Sequence, residues 1–300
     1  MTGKPDSSPD NSLFRAQVMM HGAVVLYGLT GILGRLIELP SLTIVWYRMI
    51  FTLLSLCFFP GLIRAVWKVP RRQLMRVAGI GMLLTLHWIT FFGAIKLSNV
   101  SITLSCLASG AFFTALIEPL IFRSRIRMVE LLLGAGVILG FVFIFGFVGE
   151  KYALGIFMAL LSSLLVALVV VLNKVAIGNT AIYAVTFVEF SGGLLLLSVL
   201  IPVFKLADPS LDLAPTWEEA AYLLVLALLC TTLAYNLTLH ALKKLSAFHV
   251  NLAVNLEPVY AIVMAWLIFA ENEEVNAGFY VGAGILILTG FGYPVLVRRV

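Results

Sequence analysis

The 300 residues are 61% hydrophobic and only 12% charged, with a mean hydropathy of +1.06. A soluble domain is roughly half apolar and a quarter charged, so a water-soluble globular fold is excluded. Ten helices of about 20 residues would use roughly 200 positions and leave about 100 for loops and tails, so no sizeable extramembrane domain fits. A net charge of +5 would raise nucleic acid as a partner of a soluble chain, but in a membrane protein the placement of each charge matters more. The expected partners are the lipid bilayer and a small-molecule cargo, with no nucleic acid.

In chain order, residues 1–13 read as a polar tail. The apolar run after Arg15 continues to about Leu33, longer than a signal-peptide core and without a small-residue cleavage site. It reads as an uncleaved first helix. Spans are expected near 16–35, 41–63, 74–95, 100–122, 129–149, 153–173, 181–204, 219–240, 246–270 and 277–297. Each is continuously apolar for about twenty residues, whereas barrel strands alternate over about ten. The fold class is therefore an all-α integral membrane protein of ten transmembrane helices. Cys57, Cys106 and Cys230 each lie in an apolar run and read as buried thiols rather than a disulfide framework.

With the N-terminus placed inside, fifteen basic residues fall on inner segments, among them the cluster Arg64, Lys68, Arg71, Arg72 and Arg76 and the trio Arg123, Arg125 and Arg127. Only Arg35, Lys96, Lys151 and Lys205 fall on outer loops, and Arg48 lies within the second span. This bias sets both termini in the cytoplasm.

The halves repeat. Gly134-Ala135-Gly136 recurs 148 residues later as Gly282-Ala283-Gly284, Gly110 aligns with Pro258, and Ala94-Ile95-Lys96 meets Ala241-Leu242-Lys243 at 147. Five spans per half is odd, so the second copy enters the membrane from the opposite side and its loop charges should reverse. They do: basic 64–76 matches a loop with Asp208, Asp212, Glu218 and Glu219, and basic 123–127 matches Glu271, Glu273 and Glu274. Residues 14–149 and 150–300 thus read as two inverted five-helix repeats within one transmembrane domain, the usual architecture of secondary transporters with a site at the repeat interface.

Ala94-Ile95-Lys96-Leu97-Ser98-Asn99-Val100 leads into span four, and Ala241-Leu242-Lys243-Lys244-Leu245-Ser246-Ala247 leads to Asn255-Leu256-Glu257-Pro258-Val259-Tyr260. These segments resemble the drug/metabolite transporter superfamily, specifically its ten-helix EamA-type exporters, which include YddG-like amino acid exporters. The first repeat departs from the pattern where Gly110 stands in place of the family's proline. The resemblance implies a 5 + 5 inverted topology, a central cavity lined by spans three, four, eight and nine with help from one and six, and export of small metabolites. It does not fix the cargo.

Candidate cargo-binding residues follow from the faces of those spans. His87, Trp88, Phe91 and Phe92 form an aromatic face on span three. Span eight answers with Thr231, Thr232, Tyr235, Asn236 and Thr238. These faces offer flat apolar surface with a few hydrogen-bonding groups, although rings on such faces also pack against neighbouring helices or lipid. Ser101, Ser105 and Ser109 stripe span four, as cavity lining or as close helix packing. Asn251 and Asn255 on span nine face a partner helix or water, since an amide facing hydrocarbon is costly.

Glu118, Glu189 and Glu257 are the acidic residues inside spans. Glu118 reads as pairing at the surface with Arg123 and Arg125. Glu189 and Arg48, at related places in the two repeats, read as a structural ion pair. Glu257, with the neighbouring Pro258 and the thin backbone at Gly110, is a candidate for coupling or gating. A cargo ammonium could use Glu257, aromatic faces or carbonyls freed by Pro258, and a carboxylate could meet Asn255, Thr232 or a hydroxyl. GxxxG-type glycines such as Gly136 and Gly140 fit close packing within a monomer or at a dimer seam, and both states stay open.

Two other functions compete with this reading. Phosphorylated or nucleotide-sugar cargo would want cations near the cavity centre, whereas Lys96, Lys174, Lys243 and Lys244 lie at span ends. An intramembrane enzyme would need a nucleophile with its base, a carboxylate dyad or metal ligands, and none assembles. His21, His87, His240 and His249 include no pair four apart, so no metal and no cofactor are expected. The leading expectation is a non-enzymatic secondary transporter in a bacterial inner membrane. It would export small metabolites, most readily aromatic or other neutral amino acids, by alternating access.

Overall fold

The computed structural model describes residues 9–98, 100–145, 152–178, 180–257, 259–260, 264, 281, 284–285 and 288. Among them there is no strand. Helix α1 spans Pro9–Leu36, beginning inside the segment read as a polar tail. Prolines set two of the next starts. Pro40 precedes α2 (Ser41–Cys57) and Pro70 precedes α4 (Arg71–Leu97), with φ near −57° already suited to a helix N-terminus. Between them lies the short α3 (Leu62–Trp67), entered through Gly61 at φ 79°, a left-handed position that favours glycine. The second span is therefore shorter than its expected 41–63.

Expected spans four and eight are interrupted, and the ninth turns at Asn255–Leu256 just after α12 (Ala247–Val254). Residues 100–122 form α5 (Val100–Leu107) and α6 (Ser109–Phe122), interrupted at Ala108. After α7 (Met128–Phe145), α8 (Ala153–Ala176) and α9 (Ile182–Ala207), the eighth span runs as α10 (Trp217–Ala227), a π-helical turn over Leu228–Leu233, and α11 (Ala234–Leu242). Thr216 starts α10 with a reciprocal capping box, its hydroxyl accepting from the Glu219 N–H while Glu219 accepts from Thr216. Ser246 caps α12 (Ala247–Val254) by accepting from the His249 N–H at 3.1 Å. The tenth expected span, 277–297, and the acidic stretch 271–274 lie outside the described residues apart from four positions.

Six helical stretches are long and apolar enough to cross a membrane, and α2 and the start of α7 are shorter apolar helices. At 1.5 Å per residue the 27-residue α4 is about 40 Å long, more than the roughly 30 Å hydrocarbon core. Large apolar side chains such as Leu120, Leu132, Leu195 and Val199 cover the outside, the reverse of a soluble protein and suited to lipid. Trp67, the last residue of α3, and Trp217, which opens α10 as its first residue, are 83% and 95% exposed at opposite ends of the molecule, where an interfacial aromatic belt is expected.

The repeats interlock rather than sitting side by side. From the first repeat, α4 packs most extensively on α8 and α9, α1 lies on α11, and α6 lies between α7, α8 and α12. Glycines permit the closest crossing. A Cβ on Gly81 would fall 1.8 Å from the Glu189 carbonyl oxygen, and one on Gly192 would fall 2.4 Å from that of Ala78. Beyond α9, loop 208–216 folds over the start of α2, where Thr43 donates to the Asp212 carbonyl and Tyr47 to that of Leu213. In that exposed loop the Ser210 hydroxyl and N–H donate to Asp208, which holds its carboxyl below the usual range.

Gly81→Ala should force α4 and α9 apart, with about 1–3 kcal/mol lost to overpacking, seen as a lower melting temperature and less monodisperse protein on size exclusion. Gly79→Ala, where an added Cβ meets nothing within 4 Å, should leave both readings unchanged.

Candidate functional site

A buried cavity of about 100 Å³ lies where the repeats meet. Tyr27 and Thr30 enter it from α1, His87, Trp88 and Phe91 from α4, and Gly110 from α6 beside the break. Val169, Val170 and Asn173 come from α8, and Cys230, Tyr235 and Thr238 from the π turn and α11. Asn251, Asn255 and Glu257 close it from α12 and the residues just beyond. This matches the spans expected to line the cavity, with one addition: Arg48 reaches in from α2. The volume is below the roughly 300 Å³ at which small-molecule sites begin.

Trp88, His87 and Phe91 build an aromatic wall. The Trp88 ring lies 5.5 Å from Phe190, and the His87 and Phe91 rings stack at 6.2 Å. His87 Nδ1 is 2.9 Å from the Ser162 carbonyl oxygen, while the Ser162 hydroxyl donates to the His87 carbonyl at 3.0 Å. With a carbonyl as partner, Nδ1 is the protonated nitrogen of the ring. The Tyr235 hydroxyl accepts from the Asn173 amide at 2.9 Å, and its ring meets the same Phe190 edge-on at 5.6 Å. Tyr27 and Thr238 share a hydroxyl–hydroxyl bond of 2.8 Å.

Other expected ligands have different duties. Thr232 does not line the cavity. Its hydroxyl bonds the Ala227 carbonyl and the Ser55 hydroxyl, because the π turn frees carbonyls that need donors. Ser109 also stays out of the cavity, donating to the Cys106 carbonyl at 2.6 Å and to the Ser163 hydroxyl at 2.9 Å, while Ser163 donates to the Leu107 carbonyl. Serine hydroxyls thus serve the carbonyls at the break in span four. Asn251 lines the cavity but spends its amide on the Thr114 hydroxyl at 2.6 Å. The side chain of Ser105 and all of Pro258 lie outside the described residues.

Both expected ion pairs are replaced. Among the described residues the one salt bridge is Arg127–Glu130 at 3.4 Å. Glu118 turns away from Arg123 and Arg125 and accepts the backbone N–H groups of Ala247 and Phe248 at 3.2 and 2.9 Å, capping α12, whose N-terminal partial positive charge attracts a carboxylate. Lys174 caps the preceding helix, donating to the carbonyls of Leu242 and Leu245. Glu189 is wholly buried beside Tyr235 and Asn173, the polar side chains with which it interacts. Arg48 does not meet it. The guanidinium instead lies 3.9 Å from the Trp88 ring centroid, with Nε donating to the Thr231 hydroxyl at 2.6 Å and Nη2 to the Cys230 carbonyl at 3.3 Å.

Arg48 is therefore a cavity-lining residue that the sequence reading did not place there. Its signal was available, since an arginine within a span is a functional candidate by default. Pairing it with Glu189 concealed it.

A second space of about 1300 Å³ opens at the basic end, between α3, the start of α4, the end of α8 and the start of α9, with Arg64, Lys68, Gln73 and Arg76 on its rim. Leu83 and Leu172 line this cleft, and the next residues along each helix, Leu84 and Asn173, line the cavity. The cleft thus leads along α4 and α8 toward the cavity.

The sequence profile of the EamA-like transporter family matches the chain twice, over residues 15–146 and 153–292. The chain belongs to this family. Two matches give it the family's two-repeat, integral membrane architecture of about ten helices, and the family is one of transporters rather than enzymes. Uncharacterized transporter YxxF of Bacillus subtilis (strain 168) is 24% identical over 297 residues, covering 95% of this chain and 90% of the relative. A solved crystal structure superimposes with a TM-score of 0.73 at 16% identity, over 95% of this chain and 98% of the other, a likeness of fold.

Glu118→Ala should remove two charge-assisted caps and about 1–3 kcal/mol of stability, read as a fall in melting temperature of the purified protein. Arg125→Gln should not change it, whereas a surface Glu118–Arg125 pair would make both substitutions matter alike.

Proposed function

We propose that this family member is a secondary transporter that exports small metabolites, with aromatic or other neutral amino acids as its cargo class. It works in a bacterial inner membrane by alternating access between two inverted repeats, with both termini cytoplasmic. The observation that carries the reading is the cavity itself, which is buried, drawn from both repeats, and joins an aromatic wall to a small set of fixed polar groups. The cleft at the basic end is the cytoplasmic vestibule, closed off from the cavity in this conformation near Leu83–Leu84 and Leu172–Asn173. Rocking of the repeats would join the two spaces on the inside, then open the cavity outward.

Phosphorylated or nucleotide-sugar cargo is the second reading. Arg48 supplies the central cation that the sequence reading had not placed there, yet it is one cation sharing the cavity with Glu257, a poor match for several phosphate charges.

Purified protein in proteoliposomes should show saturable uptake of labelled neutral amino acids, measured with and without a proton gradient beside charged amino acids and a nucleotide sugar. Flux confined to the nucleotide sugar would overturn the cargo class. Trp88→Ala and Tyr235→Ala should each lower amino acid flux about tenfold, in keeping with lost aromatic contacts. Unchanged flux would remove those rings from the site.

A further inference from the structure

Two opposite charges occupy one small cavity without meeting. Arg48 is 2% exposed and Glu257 6% exposed, and each lies within electrostatic reach of the other and of Tyr27. No salt bridge joins them within 4.0 Å among the described residues. Flexible side chains of opposite charge in a low-dielectric space would ordinarily close to contact. Here the arginine is held in place by Thr231, by the Cys230 carbonyl on the π turn and by the face of Trp88, so three contacts fix its plane.

That anchoring leaves a particular remainder. Arg48 Nη1 is buried and has no hydrogen-bond partner, and the same holds for Asn255 Nδ2. A buried charged donor without an acceptor is costly, and a pair of such donors suits a planar anion. Asn173 Oδ1, also buried without a partner, is an acceptor on the same cavity wall. Donors lacking acceptors therefore share the cavity with a carboxylate and a carbonyl oxygen able to receive N–H groups.

We propose that Arg48 and Glu257 hold the two ends of a zwitterion: Arg48 Nη1, with Asn255 Nδ2, takes the cargo carboxylate, and Glu257, with Asn173 Oδ1, takes its ammonium. An α-amino acid carries both charges across a single carbon and is neutral overall, as is the pair it bridges. The Trp88 and Phe91 rings then face the cargo side chain. This rests on the export reading above and adds to it the recognition of both charged ends.

The test uses full-length protein in detergent and three probes with one common side chain: phenylalanine, phenethylamine, which lacks the carboxylate, and 3-phenylpropionate, which lacks the ammonium. Affinities come from ligand-dependent shifts in melting temperature, which also report whether each variant is folded. Wild-type protein should bind phenylalanine at least tenfold more tightly than either analogue. Arg48→Gln should weaken phenylalanine and 3-phenylpropionate at least tenfold while leaving phenethylamine within twofold, and Glu257→Gln should weaken phenylalanine and phenethylamine while sparing 3-phenylpropionate.

Equal weakening of all three probes by either variant, or analogues that bind wild type as well as phenylalanine does, overturns the proposal. If Arg48→Gln does not fold, Asn255→Ala and the wild-type ranking decide the carboxylate end by the same criteria. Amino acid flux in proteoliposomes with no such charge selectivity would sink the zwitterion site and leave the export reading standing. Absence of any amino acid flux would sink the export reading itself.

Discussion

A helix that leaves its regular ladder inside a bilayer must find partners for the released carbonyl groups within the protein, because no water is there to supply them. Two such places among the described residues, at Ala108 and in the π turn, adjoin the cavity. At Ala108 the carbonyls of Cys106 and Leu107 are taken by Ser109 and by Ser163 from the other repeat. In the π turn the carbonyls of Leu226, Ala227 and Cys230 are taken by Thr231, Thr232 and Arg48. Irregular backbone is tolerated in both because hydroxyls and one guanidinium replace the missing N–H donors.

The same demand explains how a full positive charge can sit in an apolar protein. Arg48 is held by the polar groups of the π turn and by the electron-rich face of Trp88, so it brings much of its own solvation with it. Glu118 and Lys174 follow similar logic at the basic end, where the ends of α12 and α11 serve as partners for a carboxylate and an ammonium. Charges here are matched to backbone dipoles more than to each other. For that reason pairing acidic and basic residues by sequence position misplaced Arg48, Glu189 and Glu118.

Close glycine crossings and side-chain contacts between repeats join the halves. Gly81 and Gly192 let α4 and α9 touch backbone to backbone, and Ser162 and Ser163 of α8 bond His87 and Ser109 from the other repeat. A rocking motion between repeats would have to break or slide some of these contacts. Of these, the His87–Ser162 contact ties a cavity-lining side chain of the first repeat to α8 of the second.

Much of this was legible in the sequence. Continuous apolar runs of about twenty residues dictated helices, since only they satisfy the backbone in lipid, and the recurrence of Gly134-Ala135-Gly136 at 282–284 pointed to the repeat. The aromatic face of His87, Trp88 and Phe91 and the amides Asn251 and Asn255 were also visible, because helical spacing puts them on common faces. Which hydroxyls face the cavity was not visible. Thr232 and Ser109 are spent on carbonyls freed at breaks that composition and periodicity do not reveal. Arg48 became a cavity residue only when the π turn and Trp88, distant in sequence, were brought around it. The sequence by itself thus determined a helical membrane protein of two repeats, because that follows from hydrophobicity and local spacing. The tertiary structure alone decided which polar groups remain free for a cargo, because that depends on what every neighbouring carbonyl and hydroxyl has already claimed.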